Sequence, residues 1–177
     1  PLGTAPIMSI LKYTNAKKVP MIFASTLSPK VSDYQAYPWT IGWLPNGVSE
    51  AHAYAQYLQK ERPNAKIAVL YQQDDLGKAY LQGLKEAYGA RAASVIVAEQ
   101  GYEISDSTVD SQVIAMKTSG ADTAVLAATP KFAALAIRKM SDMGWRPSRI
   151  MTTSGGSIDS TLKHAGFEKS IGIVQGY

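Results

Sequence analysis

A chain of 177 residues with 46% hydrophobic and 18% charged residues has the apolar content to build a core, which excludes disordered and fibrous classes. No apolar run approaches the roughly 20 residues that span a bilayer, and no charged segment followed by an apolar one opens the chain as a secretory leader. The net charge of +4 comes from dispersed Lys and Arg with no run longer than Lys17-Lys18, so the clustered basic stripe of a nucleic-acid binder is missing.

The absence of cysteine fits any redox compartment. Pro1-Leu2-Gly3-Thr4 reads as the middle of a loop, which gives the expectation of a piece of a longer protein. Ile7, Met8, Leu11 and Tyr13 recur at helical spacing between Pro6 and Ala16. Val19–Ala24 reads as a strand with Pro20 near its start, where a missing N–H is tolerated. Ser25-Thr26-Leu27-Ser28-Pro29 is a hydroxyl-rich loop. Residues 30–47, with Tyr34, Tyr37, Trp39 and Trp43 among prolines and glycines, read as an irregular connection between two bodies. Asn46 or Ser49 can cap a helix over Val48–Lys60 whose apolar side is Ala51, Tyr54, Ala55 and Leu58, and Pro63 follows it.

Lys66–Gly89 is the strongest local signal. The short β-branched run Ile67–Tyr71 predicts a buried strand, and Gln72-Gln73-Asp74-Asp75 predicts a turn. Leu76, Tyr80, Leu84 and Tyr88 predict a helix that Gly89 ends. The rhythm then repeats: strand Ser94–Glu99, helix capped by Ser107 or Thr108 with Val109, Val113 and Met116 inward, strand Thr123–Ala128 buried on both faces, helix Lys131–Met143. Strand Arg149–Thr153, a Ser154-Gly155-Gly156-Ser157 turn, a short helix and a last strand from Ile171 complete it. Strands alternating with helices of ten or more residues predict right-handed crossovers, hence an α/β fold with a parallel sheet flanked by helices. Ligands of such sheets sit outside the carboxyl ends of the strands.

Catalytic patterns are missing. There is no phosphate loop, no dinucleotide glycine fingerprint and no G-x-S-x-G elbow. His52 and His164 have no partner at metal-ligand spacing. Asp74-Asp75 can be an acid pair for a metal or a turn with a helix N-cap, where carboxylates meet the positive end of the dipole. The remaining polar inventory near strand ends is Ser25, Thr26, Gln73, Thr129, Thr153 and Ser154, hydroxyls and amides suited to holding a small molecule rather than transforming it. No cofactor and no metal are expected, and the reading is a binding protein rather than an enzyme.

Pro1–Thr4, then Val19–Ile22 with its small-residue loop and Pro29, then Lys66–Gly77, then Gly120-Ala121-Asp122 before a strand, form an ordered series. That series resembles the type I periplasmic binding proteins, in the branch of the leucine/isoleucine/valine-binding proteins, which serve ABC importers. The resemblance implies a Rossmann-like lobe within an incomplete chain. Residues 1–43 would be the last part of the N-terminal lobe plus the hinge crossing, and residues 44–177 the C-terminal ligand-binding lobe. It implies an extracytoplasmic or periplasmic protein, without membrane insertion of its own, that closes two lobes over a small-molecule ligand and meets a membrane permease.

Carried over by position, the ligand contacts fall on Thr4 and Ala5, on Ser25, Thr26 and Leu27, and on Leu76, Thr129 and Ser154; Trp43 is a candidate to line the cleft or pack at the hinge. Two positions depart from the amino-acid binders: Leu76 stands where they place an aromatic ring, and Ser154 where they place the acid that pairs with the ligand's ammonium. A buried ammonium left unpaired costs on the order of several kcal/mol, most of a useful affinity. The expected ligand is therefore an aromatic or other carboxylate rather than an ordinary α-amino acid, unless Asp74 or Asp75 supplies the missing charge. The competing expectations are a ligand-sensing domain of a receptor or amide-responsive regulator, and a metal-dependent α/β enzyme using Asp74/Asp75.

Overall fold

A computed structural model describes residues 1–175; the last two positions of the 44–177 span lie outside them. The chain opens with helix α1 (Thr4–Ala16), strand β1 (Met21–Ala24), a 3-10 turn (Pro29–Ser32) and strand β2 (Thr40–Gly42). Helix α2 (Gly47–Glu61), strand β3 (Ile67–Gln72) and helix α3 (Asp75–Tyr88) follow. Next come a 3-10 turn (Gly89–Arg91), the short α4 (Ala92–Val95), β4 (Ile96–Tyr102), α5 (Asp110–Thr118), β5 (Thr123–Ala127), α6 (Pro130–Asp142) and β6 (Ser148–Met151). A π-helical turn (Ile158–Leu162), α7 (Lys163–Ala165), α8 (Phe167–Ser170) and β7 (Ile173–Val174) complete the described chain.

The caps explain the boundaries. Asn46 accepts the Ser49 N–H at the start of α2, and Asp74 accepts the Leu76 and Gly77 N–H groups at the start of α3. Gly89 leaves α3 at φ 54°, a conformation open to glycine because it has no Cβ. Gly77 has a different reason: a Cβ there would come within 2.1 Å of the Gln72 carbonyl oxygen. The helix can therefore turn back tightly over the end of β3 only because residue 77 is glycine.

Five strands pair in the order β4-β3-β5-β6-β7, every pair parallel. Strand β3 is flanked by β4 on one side and β5 on the other, so the chain reverses its direction of sheet growth between them. That is a topological switch point, where the crossover helices diverge and leave a crevice at the strand ends. Alternation along the strands divides the core. Ile67 and Val69 with Val125, Ala127 and Ile150 face α2 and α3, while Ala68 and Leu70 with Ala124, Leu126 and Met151 face α5 and α6. All residues of β5 are buried, as a strand covered by helices on both sides must be. Each fully buried Val, Leu or Ile contributes about 1.5–3 kcal/mol of transfer free energy.

The expected parallel sheet, helices and α2 stripe are present, with Ala51, Tyr54, Ala55 and Leu58 buried. Two details differ. The strand expected at Ser94–Glu99 begins at Ile96, because Ala92–Val95 coils into α4, and it continues to Tyr102. The continuation pairs Leu70 with Gln100, Tyr71 with Gly101 and Gln72 with Tyr102. The connection at 30–47 also contains β2, which pairs in parallel with β1 through Met21 and Thr40. This second, two-stranded sheet has its own small core of Ile7, Leu11, Met21, Ala24 and Val31.

Candidate functional site

At the switch point, the ends of β3, β4 and β5 are tied into one polar network. The Tyr102 hydroxyl, fully buried, donates to Gln72 Oε1 at 3.1 Å and accepts the Thr129 N–H at 3.0 Å. Thr129 Oγ1 also donates to Gln72 Oε1 at 3.3 Å. Gln72 Nε2 donates to Asp74 Oδ2 at 2.5 Å, and Asp74 Oδ1 holds the first N–H groups of α3. Burial pushes the Tyr102 phenol up to about 12, with the Thr129 contacts opposing the shift, so it stays a neutral hydroxyl. Thr129 occupies the N-cap of α6 but makes no capping bond; its hydroxyl is turned into the network instead.

One strand over, the loop after β6 is fastened to α2. Glu50 is 7% exposed, and its Oε1 accepts the Thr153 N–H at 2.8 Å. Tyr54, one turn on, donates from its hydroxyl to the Met151 carbonyl at 3.3 Å. Ser154 is half-buried and shares a 3.2 Å hydroxyl contact with Thr152. Burial raises the Glu50 carboxyl above its ordinary value, with the Thr153 N–H pulling the other way.

The residues expected from the first segment form a second group. Thr4 and Thr26 are buried and share a hydroxyl contact at 2.9 Å, and Thr26 also accepts the Ser28 N–H. Ser25 is half-buried and pairs by its backbone with Pro1 and Gly3, while Ala5 is exposed. The two apolar positions are placed differently: Leu27 is 0% and Leu76 3% exposed, both within the core between α2 and α3. Trp43 is exposed and meets the edge of Phe23 with ring centroids 5.3 Å apart. Among the described residues the groups are joined by the packing of Leu27 in that core, by a bond from the Gly47 N–H to the Leu27 carbonyl at 2.7 Å and by an ion pair of Lys30 with Asp75 at 2.8 Å.

The Asp74-Asp75 pair is thereby divided. Asp74 is the cap and network acceptor, and Asp75 faces Lys30 across to the 3-10 turn. Among the described residues no three His, Cys, Asp or Glu side chains gather as metal ligands. Sequence reasoning missed Tyr102, because its strand was ended three residues early, and Glu50. The signal for Glu50 lies in plain view: it falls on the same helical stripe as Tyr54 and Leu58, where a carboxylate is out of place unless it has a task.

Gln72, Tyr102, Thr129 and Ser154 place amide and hydroxyl groups at the carboxyl ends of parallel strands. The sequence model of the periplasmic binding protein family matches residues 1–176. No curated protein matches the chain. Among solved structures, a type 1 periplasmic binding protein from Bordetella pertussis Tohama I superposes with a TM-score of 0.85 at 18% identity, over 99% of this chain and 47% of that one. A fatty acid ABC transporter substrate-binding protein from Thermomonospora curvata gives 0.81 at 18% identity, over 98% and 44%. A branched chain amino acid ABC transporter protein from Thermus thermophilus, solved with bound valine, gives 0.81 at 14% identity, also over 98% and 44%. The chain thus spans less than half the length of these structures. With its family pattern matched from end to end and its fold shared, the chain belongs to the periplasmic binding protein family.

Proposed function

We propose that this chain is part of the extracytoplasmic solute receptor of an ABC importer, holding a small organic solute between two lobes that close by a hinge. Residues 1–43 belong to one lobe and the crossing, and residues 44–177 to the other. The observation that carries the reading is the Gln72–Tyr102–Thr129 network at the switch point, a rigid and uncharged set of hydrogen-bonding groups with no nucleophile or base among them. Such groups orient a ligand without reacting with it.

Thr129 and Ser154 contact the solute from the second lobe, and Thr4, Ala5, Ser25 and Thr26 from the first. Leu27 and Leu76 pack beneath those contacts, and Trp43 flanks the crossing. With a hydroxyl at Ser154 and both Asp74 and Asp75 already engaged, the ammonium of an α-amino acid meets no free carboxylate at these positions. The ligand class favoured is an aromatic or other carboxylate, delivered to a membrane permease. A thermal-shift panel on the complete receptor tests it. Benzoate and cinnamate should raise the melting temperature while leucine and valine do not; the reverse pattern sinks the ligand assignment.

A further inference from the structure

A cavity lies between α2 and the carboxyl ends of β6 and β7. Its volume is about 380 Å³, and its wall includes Pro45, Glu50, Tyr54, Tyr57, Thr153 and Gln175. The Glu50 carboxylate uses one oxygen on Thr153; its Oε2 is buried and has no hydrogen-bond partner among the described residues. Gln175 donates from Nε2 to the Gly156 carbonyl at 2.6 Å, which fixes the orientation of its amide, and its Oε1 is likewise buried and unpartnered among the described residues. Behind Glu50 the Tyr80 hydroxyl, completely buried, also lacks a partner among the described residues.

Two of these atoms, Glu50 Oε2 and Gln175 Oε1, can only accept, and the first sits on a group that is anionic when ionised; the Tyr80 hydroxyl can also donate but reaches no acceptor among the described residues. Buried acceptors without donors are costly, and a buried carboxylate oxygen most of all. What such a wall lacks is a compact donor of several N–H bonds with positive charge, set on an apolar body that fits against tyrosine and proline.

We propose that this cavity is a binding site for a primary ammonium group on an aryl or alkyl chain, with Glu50 as its counter-ion and the Gln175 carbonyl oxygen as a second acceptor. It is distinct from the Thr129–Ser154 contacts. The charge comes from the first turn of α2, and neither Thr129 nor Ser154 lines the cavity. Its described walls all lie within residues 45–175, and its probes differ from those that test the solute-receptor reading.

The test is isothermal titration of the complete receptor with phenethylamine hydrochloride, beside two probes of the same shape, neutral 2-phenylethanol and anionic 3-phenylpropionate. The amine should bind at least tenfold more tightly than either. Glu50→Gln keeps an acceptor for Thr153 while removing the charge, and should weaken the amine at least tenfold with little effect on the alcohol. Gln175→Leu, after the last strand, should weaken the amine to a smaller degree, which keeps the proposal testable if the Glu50 variant folds poorly. Equal binding of the three probes overturns the proposal, as does an amine affinity that survives both variants. Loss of amine binding in Ser154→Ala but not in Glu50→Gln also overturns it, by placing the amine at the strand-end site.

Discussion

Removing one oxygen from the centre of the switch-point network, by Tyr102→Phe, has consequences that can be counted. The ring keeps its packing on Phe132, whose centroid lies 4.3 Å away, so the apolar contribution is unchanged. The bond donated to Gln72 Oε1, the one accepted from the Thr129 N–H and the 3.3 Å contact with Thr129 Oγ1 disappear. Gln72 Oε1 retains Thr129 Oγ1, so its loss is near the usual net value of about 1 kcal/mol. The Thr129 amide is half-buried and is left with no acceptor in place of Tyr102, which adds about another 1 kcal/mol. The sum of about 2 kcal/mol corresponds to a fall of roughly 4–8 °C in melting temperature for a chain of this size. Thermal and urea unfolding followed by circular dichroism reads it. In a cycle with Gln72→Leu, the two substitutions should couple by more than about 0.5 kcal/mol. A melting point unchanged within about 1 °C, or strict additivity, refutes the claim that this hydroxyl ties the three strand ends together.

Gly83→Ala sets helix propensity against close packing. Alanine gains about 1 kcal/mol in a helix interior. Its Cβ would, however, come within 2.7 Å of the Val48 carbonyl and 2.8 Å of the Val48 Cα, backbone atoms of α2 that cannot rotate away. A net loss of about 1–2 kcal/mol in urea unfolding is expected, and stabilisation contradicts it. Lys30→Ala removes the Asp75 ion pair, whose side chains are 52% and 37% exposed, so the loss should be at most about 1 kcal/mol and vanish in high salt. Glu50→Gln should change the pH profile of stability. Burial raises the folded carboxyl above its ordinary 4.5, so as pH rises from there the unfolded chain loses the proton first and the wild type loses stability until the folded group ionises. The variant lacks that decline, and its advantage should grow as pH rises above the carboxyl's ordinary 4.5. A wild type that gains on the variant over that range contradicts the direction.

The sheet was legible because its signals are local. Ile67–Tyr71 and Thr123–Ala128 are short β-branched runs between polar turns, and the helices between them carry apolar stripes with caps at Asn46 and Asp74. What failed to show was set by partners distant in the chain. Gln100-Gly101-Tyr102 has no strand pattern, yet pairs with Leu70–Gln72 because the central strand beside it is long enough to extend the ladder. Thr40–Gly42 is a strand only because β1 lies next to it. At the site, Thr129 was visible as a hydroxyl after a strand, but its partner Tyr102 comes from 27 positions away, and Glu50 meets Thr153 across 103. Leu27 and Leu76 show the opposite limit. A position in an ordered series fixes where the backbone runs, not whether an apolar side chain faces a cleft or the core.

The most direct measurement is a calorimetric titration of the complete receptor with the aromatic acid that gives the largest thermal shift, repeated on Thr129→Ala and Ser154→Ala. Each hydroxyl lost from a closed site should weaken binding about tenfold, the equivalent of one hydrogen bond. Affinity unchanged in both variants would contradict the account, because the solute would then be held somewhere other than the carboxyl ends of β5 and β6.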